Sequence, residues 1–322
     1  MDLFQDAPIH DNSKKIYHSR LAEWIQFMPT HFQSVTHIIM LPELSMKALH
    51  THLKTNTPST RHMYIVAILS FIKHHFTHLS QCITPEITTS LREQWNAIHT
   101  HNEAPIIQLR LENKPTVLQQ AKAGSQLSFQ QIMEIREQLP IGSIERLLIS
   151  MYTLIPPVRA DYFALEIIRD DQDPVEPNYL RIRRGEMETV LTDFKTAKTY
   201  HQIRNGLPDP LAQEIHASLL ESPRQYLFVN AHGKPHTRNS FTLWTRRILT
   251  RVLQVDFTLV FFRHAFATHF VSHHNPTDLQ ISEVSKKMGH SSEMFRAYRW
   301  VTAGAAGDAA GDAAGDQGDS ED

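Results

Sequence analysis

The sequence predicts a mainly α-helical protein with one small antiparallel β-sheet in its second half. Apolar residues recur at intervals of three and four through most of the 322 residues, which is typical of amphipathic helices. The period changes to two in NYLRIRR (178–184) and ETVLTDF (188–194), where the alternation indicates strands. Two prolines and Gly124 within residues 102–127 interrupt these patterns and divide the chain into two parts.

The first part contains four predicted helices. The first helix has Ser13 as its N-cap and carries one apolar stripe with the helical period. The stripe consists of Tyr17, Leu21, Trp24, Ile25 and Met28. The second helix follows Pro42 with Ser45 as its cap, the third runs over residues 59–79, and the fourth over 85–100. These helices predict a compact all-α domain over residues 1–101.

The second part, residues 128–302, combines helices with the sheet. Its first two helices follow Ser128 and Ile141, Pro156-Pro157 ends the second, and residues 160–168 are predicted as a short helix. A hairpin tip at 195–201 leads into a third strand at 202–208. The later segments are helices and one connecting strand: Asp209–Glu221, YLFVN (226–230), Asn239–Leu253, Thr258–His274 and Asp278–Met288.

Charge separates the last twenty residues from the rest of the chain. The whole chain has 32 basic and 34 acidic residues, and six of the acids but no base lie in residues 303–322. Residues 1–302 are therefore mildly basic, although the formal charge of the chain is −2. The Ala/Gly/Asp tail has no large apolar residue and is predicted to be disordered. Residues 102–127 are predicted to be a linker.

Composition excludes several classes of protein. No run of 18 apolar residues is present, which excludes a transmembrane helix. The N-terminus lacks the charged-then-apolar order of a signal peptide. Cys82 is the sole cysteine, so an internal disulfide and a cysteine zinc cluster are impossible. These features predict an intracellular protein.

Four segments of the second part carry side chains that suit chemistry at a phosphate. They are IPPVRADYFALEI with Arg159, FKTAKTY with Lys195 and Lys198, FFRHAFATHF with Arg263, and KKMGHSSEMFRAYRW with His290 and Tyr298. Two guanidinium groups can each donate paired hydrogen bonds to phosphate oxygens. A tyrosine hydroxyl can attack the phosphorus atom, and a lysine can protonate the leaving oxygen.

In order and spacing, these segments resemble the tyrosine recombinase (phage-type integrase) family. Its pattern is an arginine, a β-hairpin lysine, His-x-x-Arg, a Gly-His-Ser turn and a nucleophilic tyrosine eight or nine residues later. The resemblance covers roughly residues 10–302, and PPVRAD and FKTAKTY are most similar to integrases of eukaryotic mobile elements and large DNA viruses. It implies an all-α SAM-like core-binding domain followed by an α+β tyrosine-recombinase catalytic domain (the DNA breaking-rejoining fold).

The resemblance also implies a function. The protein would be a site-specific DNA recombinase, acting in integration or transposition, that cleaves and rejoins strands through a 3′-phosphotyrosyl intermediate without a cofactor. Its partner would be double-stranded DNA, bound by a homodimer that forms a tetramer in synapsis, with no membrane involved. In a eukaryotic host it would act in the nucleus.

The family pattern assigns a role to each residue. Arg159 and Arg263 would hold the phosphate, and Tyr298 would be the nucleophile. His290 would hydrogen-bond the phosphate or tune the tyrosine. The hairpin lysine would protonate the leaving 5′ oxygen. Lys195 is preferred for this role because it directly follows the second strand, and Lys198 is the alternative.

One position departs from the family pattern. The first residue of His-x-x-Arg is Val260, which can neither donate nor relay a proton. The adjacent His264 is expected to point about 100° away from Arg263 on the helix. This departure keeps open a DNA-binding relative with weakened catalysis. A type IB topoisomerase-like enzyme is a second alternative, because that class shares the catalytic residues.

Basic residues on predicted helices are candidates for contacts with DNA phosphates, with the two parts forming a clamp around the duplex. These candidates are Arg61, Lys73, Arg238, Arg246 and Arg247. His269 and His273 have the i, i+4 spacing of a zinc pair, but no third ligand is evident, so no metal is predicted.

Overall fold

The computed structural model describes residues 3–55, 57–112, 127–170 and 172–299. Residue contacts divide the chain into two compact units, Met1–Glu112 and Asn113–Asp322. The acidic tail and residues 113–126 of the predicted linker lie outside the described residues. Within the described ranges, no helix has both the length and the apolar character needed to cross a membrane.

The first unit is built from helices packed on an aromatic core. The helices are α1 (Asp11–Phe27), α2 (Val35–Met40), α3 (Pro42–His52), α4 (Pro58–His74), α5 (Phe76–Ile83) and α6 (Pro85–Leu111). Trp24 and Trp95 are fully buried and pack edge to face, with ring centroids 5.6 Å apart. Their indole N–H groups donate to the carbonyls of Ser45 and Ile39, so the core leaves neither unsatisfied.

Two predicted helix caps are wrong. α1 begins at Asp11, with Nδ1 of His10 accepting from the first turn, so Ser13 lies inside the helix. Ser45 is buried within α3, which begins at Pro42, and its hydroxyl donates to the carbonyl of Ile38.

Two predicted helix lengths also differ from the structure. The segment predicted as one helix over 59–79 forms α4 and α5, because the backbone turns at His75 (φ −111°, ψ 16°). α6 continues past Thr100 to Leu111 and includes Pro105. A proline removes one backbone N–H and need not end a helix that is held by its neighbours. Residues 102–111 of the predicted linker are therefore helical.

The second unit contains most of the chain's buried apolar side chains. Its helices are α7 (Phe129–Gln138), α8 (Ile144–Thr153), α9 (Ala197–Tyr200), α10 (Asp209–Glu221), α11 (Arg238–Leu253), α12 (Leu259–His274), α13 (Asp278–Lys287) and α14 (Ser292–Tyr298). Its strands are β1 (Glu166–Arg169), β2 (Asn178–Arg183), β3 (Glu186–Leu191) and β4 (Ile203–Gly206). Residues 146–153 of α8 are all buried, so this part of the helix lies in the core.

The sheet is mixed, which corrects the predicted antiparallel arrangement. In the described residues its order is β1-β2-β3-β4, with β1 parallel to β2 and the other pairs antiparallel. β1 occupies residues that were predicted as a short helix, 160–168. The prediction failed because Ile167 and Ile168 are β-branched residues that pair with β2, a contact distant in sequence. Residues 226–230 form isolated bridges and no regular strand.

Local capping signals mark the starts of α7, α11 and α13, whereas α10 and α12 begin without a side-chain cap. α10 has the predicted bounds, and α11, α12 and α13 each differ from prediction by one residue at one end. Capping boxes begin three of the helices, where Ser128, Thr237 and Thr277 exchange hydrogen bonds with the residue three positions later.

Candidate active site

Arg263 lies at the centre of the candidate site, on the buried first half of α12. Its side chain is fully buried, and Nη1 donates to the carbonyls of Pro157 (2.9 Å) and Met288 (3.0 Å). Among the described residues, its Nε and Nη2 atoms have no hydrogen-bond partner. Burial lowers the pKa of Arg263, and an interaction with the side chain of Tyr298 opposes that lowering, while a guanidinium stays charged in proteins. The site therefore holds a buried positive charge whose Nε and Nη2 donors form no well-aligned hydrogen bond within the described residues.

The turn that carries His290 joins the end of α13 to the start of α14. The N–H groups of Gly289 and His290 donate to the carbonyls of Lys286 (3.0 Å) and Ser285 (3.1 Å), which is a Schellman motif. Gly289 has φ +69°, and a Cβ atom there would lie 3.0 Å from Cδ1 of Ile203. The hydrogen bonds and close packing of this turn therefore fix the backbone position from which the His290 side chain extends.

The backbone of Arg159, which follows the proline break, is fixed by hydrogen bonds to both its N–H and its carbonyl group. Its N–H donates to Oδ2 of Asp161 (3.2 Å), and its carbonyl accepts from the hydroxyl of Tyr152 (2.8 Å). Asp161 is buried and forms an ion pair with Arg238. Nη1 of Arg159 reaches the carbonyl oxygen of Gly289 (3.4 Å), so this guanidinium meets the same turn as the buried arginine of α12.

Tyr298 is the last residue of α14 and is half-buried among charged and aromatic groups. The guanidinium carbon of Arg263 lies 4.7 Å from its ring centroid. The rings of His290 and His264 lie 5.3 Å and 4.8 Å from it. Phe295, one turn earlier, is fully buried and anchors the helix. The phenol is therefore surrounded by one guanidinium and two imidazoles.

His290 is neutral in the folded protein. Its side chain is 3% exposed. Burial lowers its pKa to about 3, with further lowering by Arg263 and Arg159. Its Nδ1 lies 2.9 Å from the carbonyl oxygen of Ser291, which can only accept, so Nδ1 carries the proton. Nε2 is buried and has no partner among the described residues. It is therefore a proton acceptor beside Tyr298.

His264 faces Tyr298, which corrects the expectation that it points away from the site. Its Nδ1 donates to the backbone carbonyl of Tyr298 (2.8 Å). Burial lowers its pKa to about 4, so it is also neutral. The expectation failed because the tyrosine ring contacts both residues of α12: Arg263 lies over its face, and the imidazole meets it at an angle of 71°.

Lys195 and Lys198 are exposed in the connection between β3 and β4. The residues on both sides of Lys195 contact the turn that carries His290. The ring of Phe194 lies against Gly289, and the hydroxyl of Thr196 donates to the Gly289 carbonyl (2.7 Å). These contacts tie the backbone next to Lys195 to the site.

Val260 lies one helical turn before Arg263 and is 45% exposed. Its side chain offers no donor or acceptor at the position where the family pattern has histidine. The structure therefore keeps an apolar side chain at this edge of the site.

The five basic residues predicted to contact DNA differ in their surroundings. The engaged ones are Arg61 with Asn102, Arg238 with Asp161 and Asp193, and Arg246 with Asp256. Lys73 and Arg247 are exposed and form no ion pair with another described residue, whereas Arg246 is exposed but paired. An arginine already paired with a carboxylate has less to gain from a phosphate, so Arg247 is the better candidate in the second unit.

Sequence reasoning missed two residues that orient the site. Asp161 holds the backbone of Arg159, and Thr196 holds the turn through its hydroxyl. The Arg-x-Asp spacing was a usable signal, because Asp side chains often bond nearby backbone N–H groups in turns. Thr196 gave no such signal, since its partner is distant in sequence.

The arrangement suits the binding of an oxyanion next to the hydroxyl of Tyr298. The buried Nε and Nη2 of Arg263 require acceptors, and a tetrahedral anion supplies two oxygens to a guanidinium. Nε2 of His290 requires a donor, which the hydroxyl of Tyr298 can supply. A positively charged site with a hydroxyl and a neutral imidazole has the groups that transfer of a phosphoryl group to a tyrosine requires.

Comparisons with known proteins add limited information. No protein-family model matches the chain. A stretch of 75 residues is 32% identical to Myosin-4 of Saccharomyces cerevisiae, which is 22% of this chain and 5% of that protein. The crystal structure of XerA recombinase is similar over 93% of this chain and 91% of that one, with 14% identity and a TM-score of 0.39. None of these likenesses identifies a family.

Proposed function

We propose that this protein is a DNA strand transferase of the tyrosine recombinase type, with Tyr298 as its nucleophile. The observation that carries the proposal is the pair of unused donors on fully buried Arg263, directly beside that tyrosine. A buried charged donor without a partner costs folding free energy, so such a group is expected where a ligand binds. A DNA phosphodiester is an anion that would satisfy both donors and offer phosphorus to the phenol.

The reaction follows from these groups. Arg263 and Arg159 hold the non-bridging oxygens and stabilise the charge that develops on them. The charge of the bound phosphate offsets the two arginines that lower the pKa of His290, so that Nε2 takes the proton of Tyr298 as its oxygen attacks phosphorus. The bond to the 5′ oxygen breaks, Lys195 protonates that oxygen, and the 3′ phosphate stays on the tyrosine. Rejoining reverses these steps when a 5′ hydroxyl attacks, so no external energy source is needed.

The test is covalent trapping on DNA. A library of duplexes with a randomised core carries a bridging 5′ phosphorothiolate, whose sulfur cannot rejoin the strand after cleavage. The wild-type protein is expected to form an adduct that survives denaturant, and sequencing the retained DNA gives the target. Tyr298→Phe should form none, and Tyr226→Phe, which removes a hydroxyl remote from the site in the same unit, should form as much as wild type.

Two results would overturn the proposal. One is the absence of any wild-type adduct, and the other is an adduct that persists in Tyr298→Phe. Relaxation of supercoiled plasmid that lacks the selected target would favour the topoisomerase-like alternative. The oligomeric state is tested with intact duplexes of the selected sequence. The mass of the complexes in native gels shows whether the protein is a homodimer on DNA and a tetramer in synapsis.

A DNA-binding protein with weakened catalysis is the second candidate. Val260 favours it, because an exposed valine stands where a further donor to phosphate would lie. Val260→His should raise the rate of adduct formation at least tenfold if the missing donor limits the reaction. An unchanged rate, with DNA affinity also unchanged, would show that the neighbouring imidazoles already supply what the valine lacks.

A further inference from the structure

Among the described residues, one group of side chains outside the candidate active site has the composition and spacing of a metal site. It consists of His62 on α4 and of His99 and Glu103 on α6, all half-buried. One ligand atom from each lies within 4.8 Å of the other two. We propose that these three residues bind Zn²⁺ and link α4 to α6 in the first unit.

The backbone around the group is held in a fixed register. Nε of Arg61 donates to Oδ1 of Asn102 (2.9 Å), and Nδ2 of Asn102 donates to the carbonyl of Pro58 (2.9 Å). These residues flank His62 and Glu103 in sequence, so the same bonds that join the two helices bring the ligands face to face. Asn102 is buried, which protects this cross-link from solvent.

The side chains approach one another as a metal site requires. The rings of His62 and His99 have centroids 4.9 Å apart, and Nδ1 of His99 lies 3.8 Å from Oε2 of Glu103. His99 and Glu103 are four residues apart on one helix, so they share a face. Ligand atoms around a tetrahedral zinc ion are about 3.3 Å apart, given metal–ligand bonds near 2.0 Å. Small side-chain rotations would bring the group to that spacing.

The donor set selects the ion. Two imidazoles and one carboxylate match the three protein ligands of His₂Glu zinc sites, in which water takes the fourth position. Hard ions such as Mg²⁺ and Ca²⁺ prefer oxygen ligands throughout. The half-exposed position leaves room for that water, and the charge of zinc is partly balanced by Glu103.

The histidine pair suggested by sequence has a poorer environment for a metal. Nδ1 of His273 is bonded to the carbonyl of His269 (3.1 Å), and the ring of His269 stacks on Phe129 with centroids 4.7 Å apart. The group on α4 and α6 therefore fits the ion better, although its ligands are spread over 42 positions of the sequence.

The test is a titration of the full-length, metal-free protein with ZnCl₂ by calorimetry and with CoCl₂ by visible absorption. One tight site is expected, with the intense d–d bands of low-coordinate Co²⁺. His62→Gln, His99→Gln and Glu103→Gln should each raise the dissociation constant at least tenfold. His101→Gln, an exposed histidine on the same helix, is the matched control and should bind as wild type.

The binding of Zn²⁺ by the variants distinguishes the site on α4 and α6 from the histidine pair on α12. Unchanged binding in the three ligand variants, or a loss in His273→Gln, would overturn the proposal. Far-UV circular dichroism of each variant checks that it is folded. If the histidine variants unfold, Glu103→Gln decides the question, because it keeps the size of the side chain and removes its charge. Covalent trapping on DNA is measured separately, so failure of either proposal leaves the other standing.

Discussion

The neutral state of His290 makes the stability of the second unit sensitive to acid. Burial lowers the pKa of His290 to about 3, from an ordinary value of 6.5. The unfolded chain therefore takes up a proton below pH 6.5 that the folded state does not bind until the pH approaches 3. By linkage, the free energy of unfolding falls as the pH drops through this window.

The size of the effect follows from the two pKa values. Each pH unit below the unfolded pKa costs about 1.4 kcal/mol while the folded group stays neutral. Between pH 7.5 and pH 5, His290 should therefore remove about 2 kcal/mol of stability. His290→Gln abolishes this titration, and the amide of glutamine can still donate to the carbonyl of Ser291. The variant should lose about 2 kcal/mol less than wild type on acidification.

Hydrogen exchange in a urea series measures this difference. Peptides that cover residues 146–153 of α8, which are all buried, report the unfolding of the second unit free of contributions from the first. His216→Gln replaces an exposed histidine in the same unit and should behave as wild type. If His290→Gln and wild type lose equal stability between pH 7.5 and pH 5, the imidazole is not held neutral and the proposed proton acceptor is refuted.

Three further substitutions test other parts of the site. Gly289→Ala forces alanine to φ +69° and places its Cβ 3.0 Å from Cδ1 of Ile203. The free energy of unfolding should therefore fall by about 1–3 kcal/mol, and the covalent adduct should be lost. A melting temperature and an adduct yield equal to those of wild type would contradict this. Arg238→Met leaves buried Asp161 without its ion pair and should lower the free energy of unfolding by about 1–3 kcal/mol. This range is below that of a fully buried pair, because the arginine side chain is 38% exposed and solvent screens it. Chemical denaturation measures the loss, and a change below about 0.5 kcal/mol would show that the pair does not stabilise the fold. Arg247→Ala should leave stability within about 0.5 kcal/mol but lower the salt dependence of DNA affinity by about one unit of slope, whereas an unchanged slope would remove this residue from the DNA surface.

Features set by neighbouring residues could be predicted from the sequence. The limits of α10 follow from a proline at its start and the apolar period, and α7 begins directly after Ser128 as expected. The order and spacing of Arg159, Arg263, His290 and Tyr298 indicated one site, and the structure brings these four side chains together. Their catalytic roles stay predictions until the trapping experiment is done.

Features set by distant partners could not be predicted in this way. β1 is a strand because β2 lies beside it in parallel, and its own sequence also suits a helix. His264 joins the site because α14 places Tyr298 against two adjacent positions of α12, which a helical wheel cannot show. The histidines of α4 and α6 meet only through the packing of the two helices.

The carbonyl oxygen of Gly289 accepts from both Arg159 and Thr196. One atom therefore joins the arginine that would hold the phosphate to the strand connection that carries Lys195. Displacing that connection removes the Thr196 donor from the oxygen that Arg159 also contacts, so the positions of Lys195 and of the Arg159 guanidinium are coupled through one atom.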